Sequence, residues 1–172
     1  EDTVYAQISV DAASVAESGV LTYTVTLVDE NGVAVSVPAG ENVNVQIDWT
    51  GAAAGGADTS TLPTNINVTG GSDATFTVTA TDDYLAEGSE PLIATISGVT
   101  DTDANFEAVA VGANAVANSA ITDETTAGTE DTVYAQISVD AASVAESGVL
   151  TYTVTLVDEN GVAVSVPAGE NV

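Results

Sequence analysis

The feature that most constrains the fold of this chain is the complete absence of positively charged side chains. The sequence contains 26 Asp and Glu residues and no Lys, Arg or His, so its formal net charge is −26. Because no salt bridge between side chains can form, each carboxylate must be solvated, hydrogen-bonded or bound to a metal ion. The stability of such a protein has to come from packing and from bound cations.

The same charge balance excludes several classes of partner and of function. A polyanion has no electrostatic attraction to nucleic acid or to anionic lipid, and no apolar run approaches the 18 residues of a membrane span. We therefore expect no nucleic-acid partner and no direct membrane insertion. Without His, Cys, Lys or Arg, only paired carboxylates could catalyse a reaction, as in glycosidases. The chain has few aromatic residues to form a sugar cleft, so we predict that it is not an enzyme.

A long exact repeat defines the domain organisation. The segments Glu1–Val43 and Glu130–Val172 are identical, with an offset of 129 residues. We interpret residues 1–129 as one complete repeat, which is a usual size for a β-sandwich domain. Residues 130–172 are then a truncated second copy. An exact tandem repeat also suggests that the sequence is a fragment of a longer array.

The pattern within the unit predicts an all-β fold. The apolar residues are mostly Val and Ala, and together with abundant Thr they favour strands. Alternating segments separated by turn residues predict strands at Thr3–Val10, Gly19–Val28, Val43–Trp49, Ile66–Thr69, Ala74–Thr81, Pro91–Ser97 and within Phe106–Ile121. The short run Val33–Val37 is interpreted as a crossover or edge piece. The predicted fold is an immunoglobulin-like antiparallel β-sandwich of about seven strands.

The stretch from Asp82 to Glu90 is the main candidate site, because it places four carboxylates within nine residues. Clustered oxygen ligands on a loop are typical of Ca²⁺ sites, although a solvated acidic surface is the alternative. If the long strands alternate in direction, the carboxylates that converge with this loop at one end of the sandwich belong to Glu17, Asp58, Asp123 and Glu124. The other acidic residues at loop positions, Glu1, Asp2, Asp29, Glu30, Asp101 and Asp103, would gather at the opposite end, where simple solvation is as good an explanation.

The residues at these positions resemble a known family. The segments that carry the resemblance are Val15-Ala16-Glu17-Ser18-Gly19, Gly55-Gly56-Ala57-Asp58, Thr75-Phe76-Thr77-Val78, the acidic residues Asp82, Asp83, Glu87 and Glu90, and Ile121-Thr122-Asp123-Glu124. This pattern is similar to that of Calx-β domains. It is also similar to that of the extender repeats of large RTX-type adhesins, which Gram-negative bacteria export by type I secretion.

The resemblance implies a Calx-β-like sandwich that binds several Ca²⁺ ions per repeat at one end. Its implied metal ligands are the carboxylates of Glu17, Asp58, Asp82, Asp83, Glu87, Glu90, Asp123 and Glu124, and the backbone carbonyl of Leu85. The closing acidic run is shorter here than in the family, since Thr125 follows Glu124. Glu130 and Asp131, at the start of the second copy, are further candidates for ions bound at the joint between repeats.

These observations predict a calcium-stabilised spacer, or extender, in a long adhesin of the bacterial cell surface. Such a module would hold a distal binding domain away from the cell, with Ca²⁺ stiffening both the domain and the joint between neighbouring repeats. The alternative is a ligand- or glycan-binding adhesive module. Repetition favours the spacer, because an array of identical units suits extension better than terminal recognition. Trp49, Tyr5, Tyr23 and Phe76 are accordingly predicted to be core or rim residues rather than sugar-stacking residues.

The second copy poses a separate question, because it contains only the first two predicted strands of the repeat. Two strands cannot form a stable sandwich. Replacing Glu1–Val43 within the same chain would require eight or so linking residues to span the sandwich, and these reach only about 26 Å when extended. A sandwich is about 30 Å or more long, so strand exchange with a neighbouring chain is the better prediction. The sequence leaves open which of the two copies completes the sandwich.

Overall fold

The computed structural model describes residues 2–126, 128, 131–166, 168–169 and 171–172. These residues form two compact units. The first comprises the described residues of Glu1–Thr81 and Glu87–Glu124, and the second those of Asp82–Ala86 and Thr125–Val172. The described residues contain no α-helix, and none of their helices is long and apolar enough to cross a membrane.

The first unit is built from nine strands and one short 3₁₀-helix. The strands are β1 (Thr3–Val10), β2 (Val15–Ala16), β3 (Val20–Val28), β4 (Asn42–Thr50), β5 (Asn65–Thr69), β6 (Asp73–Thr79), β7 (Ser89–Thr100), β8 (Ala108–Val111) and β9 (Val116–Thr122). The 3₁₀-helix, Ala52–Gly55, follows β4.

The nine strands form two sheets that share one core. The first sheet has the order β6-β3-β1-β8 and the second the order β2-β9-β7-β4-β5. Neighbouring strands are antiparallel except for β1 with β8 and β2 with β9, which are parallel. One continuous cluster of buried side chains includes residues from both sheets. The unit is therefore an all-β sandwich, as the sequence predicts.

Alternation along the strands decides which side chains fill this core. In β3 every second residue is buried, namely Leu21, Tyr23, Val25 and Leu27, while the Thr residues between them are half-buried. In β4 the same period buries Val43, Val45 and Ile47. A period of two places these residues on one face of each sheet, and burial of each such aliphatic side chain contributes roughly 1.5–3 kcal/mol.

An aromatic cluster joins the two sheets. The Tyr23 ring is stacked on Phe76 at a centroid distance of 5.3 Å and meets Trp49 edge-on at 5.2 Å. The hydroxyl of Tyr23 lies 2.6 Å from that of Ser119, which donates to the Leu92 carbonyl. Trp49 also donates its indole N–H to the Pro63 carbonyl at 2.8 Å. These aromatic residues are therefore part of the core, as the sequence predicts, and each buried polar group has a partner.

The strand predicted within Phe106–Ile121 is wrong as a single element. The segment forms two strands that belong to different sheets, since β8 pairs with β1 and β9 pairs with β7. Residues 112–115 cross between the sheets. Gly112 makes this crossing possible because its N–H donates to the Ala6 carbonyl at 2.8 Å, and a Cβ on residue 112 would lie 2.8 Å from the same oxygen. The predicted crossover Val33–Val37 is confirmed, with only an isolated bridge between Val28 and Ala34 in that region.

Strand pairing also fixes which loops share an end of the sandwich. Strands β1, β4, β6 and β9 run in one direction, and β3, β5 and β7 run in the other. The end at which β1, β4, β6 and β9 finish is called the site end below. The alternation of direction predicted from the sequence is therefore confirmed, and the loop after β4 and the start of β7 lie at the same end.

The second unit contains one β-hairpin, formed by β10 (Tyr134–Val139) and β11 (Tyr152–Val157). The two strands are antiparallel and form a two-stranded sheet. The loop segment Asp82–Ala86, which connects β6 to β7 in the chain, is assigned to this unit as well.

Candidate functional site

Three carboxylates converge at the site end of the first unit. One oxygen from each of Asp58, Glu87 and Glu90 lies within 4.8 Å of the other two. Asp58 belongs to the loop that follows β4, and Glu87 and Glu90 lie at the beginning of β7. We call these three residues the acidic triad. No basic side chain exists in the sequence to neutralise it.

The loop that carries Asp58 is fixed to the end of β6. The Asp58 carbonyl accepts the N–H of Thr81 at 2.9 Å, and Thr59 forms an isolated bridge with Ala80. The Thr59 side chain is buried and donates to the Ala53 carbonyl. These contacts hold Asp58 in place on a rigid part of the scaffold, which is a requirement for a preorganised binding site.

A close backbone contact brings the loop next to the start of β7. Gly51 has a φ of 106°, and a Cβ on this residue would overlap the Pro91 carbonyl oxygen. Only glycine combines that conformation with so close an approach. The contact aligns the loop after β4 with the residue that directly follows Glu90.

The carboxylate of Asp123 positions the other side of the acidic triad. It accepts the backbone N–H of Glu87 at 3.1 Å and that of Gly88 at 3.0 Å, and the Gly88 carbonyl accepts the N–H of Asp123 at 3.2 Å. Asp123 directly follows β9. Sequence reasoning proposed Asp123 only as a ligand and missed this backbone role, for which the short spacing of the acidic residues gave no signal.

The electrostatics of the acidic triad centre on Glu90. Partial burial is the largest cause that raises the pKa of Glu90 above its ordinary value of 4.5. The negative charge of Asp58 and a hydrogen bond with its side chain raise this pKa further, as do the charges of Glu87 and Asp123. Like charges held this close disfavour the ionised state. The arrangement therefore carries an electrostatic cost at neutral pH that a bound cation would remove.

This raised pKa predicts a pH dependence of stability in the absence of divalent metal. Because the folded protein holds the Glu90 proton more tightly than the unfolded chain does, the stabilisation is complete below pH 4.5 and is lost as the pH rises through the raised pKa. Glu90→Gln mimics the protonated state at every pH. We expect the stability of this variant relative to the wild type to increase from pH 4.5 towards neutral pH. Urea unfolding in chelator at several pH values measures this difference, and a difference independent of pH would contradict the prediction.

The donor set of the acidic triad fits a hard divalent cation. Its groups are all carboxylate oxygens, two of the three side chains are half-buried, and one is exposed to solvent. Ca²⁺ binds six to eight oxygen ligands at about 2.3–2.6 Å and tolerates irregular geometry. Three carboxylates supply part of such a shell and leave positions for carbonyl or water oxygens. The absence of any nitrogen or sulfur ligand disfavours Zn²⁺ and Cu²⁺.

The remaining candidate ligands are distributed over both units. In the first unit, Glu17 donates its N–H to the Thr122 carbonyl at 3.0 Å and so lies at the site end, and Glu124 follows β9 and is half-buried. In the second unit, the Asp83 carboxylate accepts the N–H of Leu85 at 2.6 Å. The other candidates there are Asp82 and Asp131, of which Asp131 accepts the N–H of Gly128. Glu130 lies outside the described residues.

Carboxylates at the opposite end of the first unit mainly organise turns. Asp29 accepts the N–H groups of Asn31 and Val33, each at 2.8 Å. Asp101 accepts the N–H of Phe106 at 2.9 Å. Asp103 accepts the backbone and side-chain N–H groups of Asn42, both at 3.1 Å. These contacts are local side-chain-to-backbone bonds of the kind that stabilise loops. They favour a structural role for this end.

No protein-family model matches the chain, and no curated protein does either. Among solved structures, it is similar to the apo form of the Calx CBD1 domain, with a TM-score of 0.50, 15% identity, and coverage of 70% of this chain and 98% of that domain. The calcium-binding domain CBD12 of CALX1.1 matches with a TM-score of 0.49 and 15% identity, over 69% of this chain and 44% of that one. CBD12 from CALX1.2 matches with a TM-score of 0.49 and 13% identity, over 79% and 49%. This chain thus has the β-sandwich fold of a Calx calcium-binding domain.

Proposed function

We propose that this chain is a calcium-stabilised structural module that binds Ca²⁺ at the site end of its sandwich. The observation that carries the proposal is the acidic triad, whose three carboxylates lie within 4.8 Å of one another in a chain with no basic side chain. Its function is mechanical rather than catalytic. The titles of the similar structures describe calcium-binding domains, which supports the choice of ion.

The first consequence of the proposal is that Ca²⁺ stabilises the folded unit. A ligand that binds only the native state raises stability by about 2.7 kcal/mol at a hundredfold excess over its dissociation constant. Bound Ca²⁺ also removes the mutual repulsion of Asp58, Glu87 and Glu90. Glu17, Asp82, Asp83, Leu85, Asp123, Glu124, Glu130 and Asp131 are the proposed sources of ligands for further ions in the same repeat.

The second consequence concerns the role of the module in a longer protein. The exact repetition of 43 residues at an offset of 129 supports an extender in a tandem array. We assign the module to an adhesin of the extracellular bacterial surface, exported by type I secretion. There Ca²⁺ would stiffen each sandwich and reduce the charge repulsion between neighbouring repeats, which makes the array a rigid spacer only when calcium is present.

Small-angle X-ray scattering tests the spacer role. The sample is a tandem array of several 129-residue units, measured with Ca²⁺ and then with chelator. We expect a larger maximum dimension with Ca²⁺, because bound cations replace repulsion by ligation. The single unit serves as the control for changes inside the sandwich. An unchanged maximum dimension would refute the spacer role while leaving calcium binding itself intact, and specific hits on a glycan array would favour an adhesive module instead.

A further inference from the structure

The hairpin of the second unit reproduces two strands of the first unit in sequence and in register. In β1 and β3, Tyr5 is paired with Val28 and Val10 with Tyr23. In β10 and β11, 129 residues later, Tyr134 is paired with Val157 and Val139 with Tyr152. The following turns match as well, since Asp158 accepts the N–H groups of Asn160 and Val162 just as Asp29 accepts those of Asn31 and Val33. The hairpin is thus already folded in the form that the sandwich uses.

The two copies differ only in their surroundings. In the first unit, Ile8 is 4% exposed and Tyr23 and Val25 are 0% exposed. Their counterparts Ile137, Tyr152 and Val154 are 72%, 62% and 64% exposed. An apolar face of this kind, on a two-stranded sheet that is not stable alone, indicates a missing partner.

The first unit shows which surface covers this face. Tyr23 packs against Trp49 and its hydroxyl contacts Ser119, and both of these residues belong to the opposite sheet. The strand edges are covered as well, because β6 pairs with the outer edge of β3 and β8 with that of β1. We call residues 42–122, which supply all of these contacts, the body. Since the two hairpin sequences are identical, the body accepts either one with the same contacts.

The edges of the strands select the body over another occupant. Two exposed hairpins from two chains could cover each other's apolar faces, but they would leave the outer edges of β10 and β11 without the ladder hydrogen bonds that β8 and β6 give to β1 and β3. Unpaired edges are a template for further strand addition. Fewer than ten apolar side chains at roughly 60–120 Å² each give an area of the order of 800 Å² per partner, which is the size of a stable interface.

We propose that the β10–β11 hairpin of one chain docks on the body of a second copy of this chain, in the place of that copy's own β1 and β3. The two hairpins pack against the body through identical side chains, so the exchange is balanced except for the entropy of association. An intact chain therefore retains its own first hairpin at low concentration. The exchanged form becomes dominant once the first hairpin is damaged. This inference rests on the sandwich fold and is independent of calcium binding.

The test uses the matched variants Ile8→Asp and Ile137→Asp in the full chain, together with the double variant. Ile8→Asp places a charge in the core and disables the first hairpin. Ile137→Asp makes the identical change at the exposed position of the second copy. Each protein is refolded at high concentration, and its mass is measured by light scattering after size exclusion. The environment of Trp49, the only Trp in the chain, is followed by near-ultraviolet circular dichroism.

We expect wild type and Ile137→Asp to be folded monomers. Ile8→Asp should show the same Trp49 signal but at least twice the mass of one chain, because Tyr152 of a second copy takes the place of Tyr23. The double variant should lose the Trp49 signal at every concentration. If Ile8→Asp loses this signal as completely as the double variant does, the second hairpin cannot replace the first. If Ile8→Asp is instead a folded monomer, the hairpin docks within its own chain, and the assignment of a second copy is wrong.

Discussion

Replacing Tyr23 by Ala is expected to lower the free energy of unfolding by about 3–5 kcal/mol, the range measured for removal of buried aromatic side chains. Tyr23 is fully buried, is stacked on Phe76 and meets Trp49 edge-on. Its hydroxyl also contacts Ser119 across the two sheets. The substitution removes all of these contacts and leaves a cavity between the sheets. Small domains have total stabilities of about 5–15 kcal/mol, so this loss is a large fraction of the whole.

The repeat supplies a matched control for this prediction. Tyr152 has the same sequence neighbours as Tyr23 but is 62% exposed. Its replacement by Ala should change stability by no more than about 0.5 kcal/mol, as is usual for surface positions. Urea unfolding followed by Trp49 fluorescence measures both variants, at low protein concentration so that hairpin exchange does not compensate. Equal effects of the two substitutions would show that the first hairpin is not the one in the core.

Glu90→Gln is expected to act in opposite directions with and without calcium. In chelator the variant should be more stable than the wild type at neutral pH, because it removes a carboxylate whose pKa is raised by burial and by the charges of Asp58, Glu87 and Asp123. In saturating Ca²⁺ it should be less stable than the wild type, because a charged ligand is lost. The expected shift of the thermal midpoint on adding Ca²⁺ is therefore large for the wild type and strongly reduced for the variant.

Asp48→Asn is the control for net charge. Asp48 lies in β4 and is exposed, so the substitution removes one negative charge away from the acidic triad. Its calcium-dependent midpoint shift should equal that of the wild type. If both variants lose the shift equally, calcium acts by screening the overall charge of −26 rather than by binding at the site end.

Much of this fold follows from periodicity in the sequence. The alternation in Thr3–Val10 and in the segment that forms β3 predicts strands that the structure contains with nearly the same bounds. The break between β8 and β9 was not predictable in this way, because both pieces consist of residues that favour strands. Only the glycine at position 112 signals it. The contact that requires glycine there is with Ala6, which is distant in sequence.

The site was predictable to the extent that it depends on strand direction. Alternation of the long strands brings Asp58 to the same end as Glu87 and Glu90, although about 30 residues separate them in the chain. The role of Asp123 in holding the Glu87 backbone depends on side-chain geometry, which spacing does not specify. Similarly, two identical hairpins read the same in sequence, yet one is buried and the other exposed. Only tertiary structure distinguishes them.

The measurement that tests calcium binding most directly is a crystal structure of the chain grown in millimolar Ca²⁺, with anomalous data to identify the ion. We predict an anomalous peak at the site end, with carboxylate oxygens of Asp58, Glu87 and Glu90 at about 2.3–2.6 Å from it. Well-ordered side chains of these three residues without an ion among them would contradict the proposal. In that case the acidic triad would be a solvated surface feature, and the stability of the sandwich would have to come from packing alone.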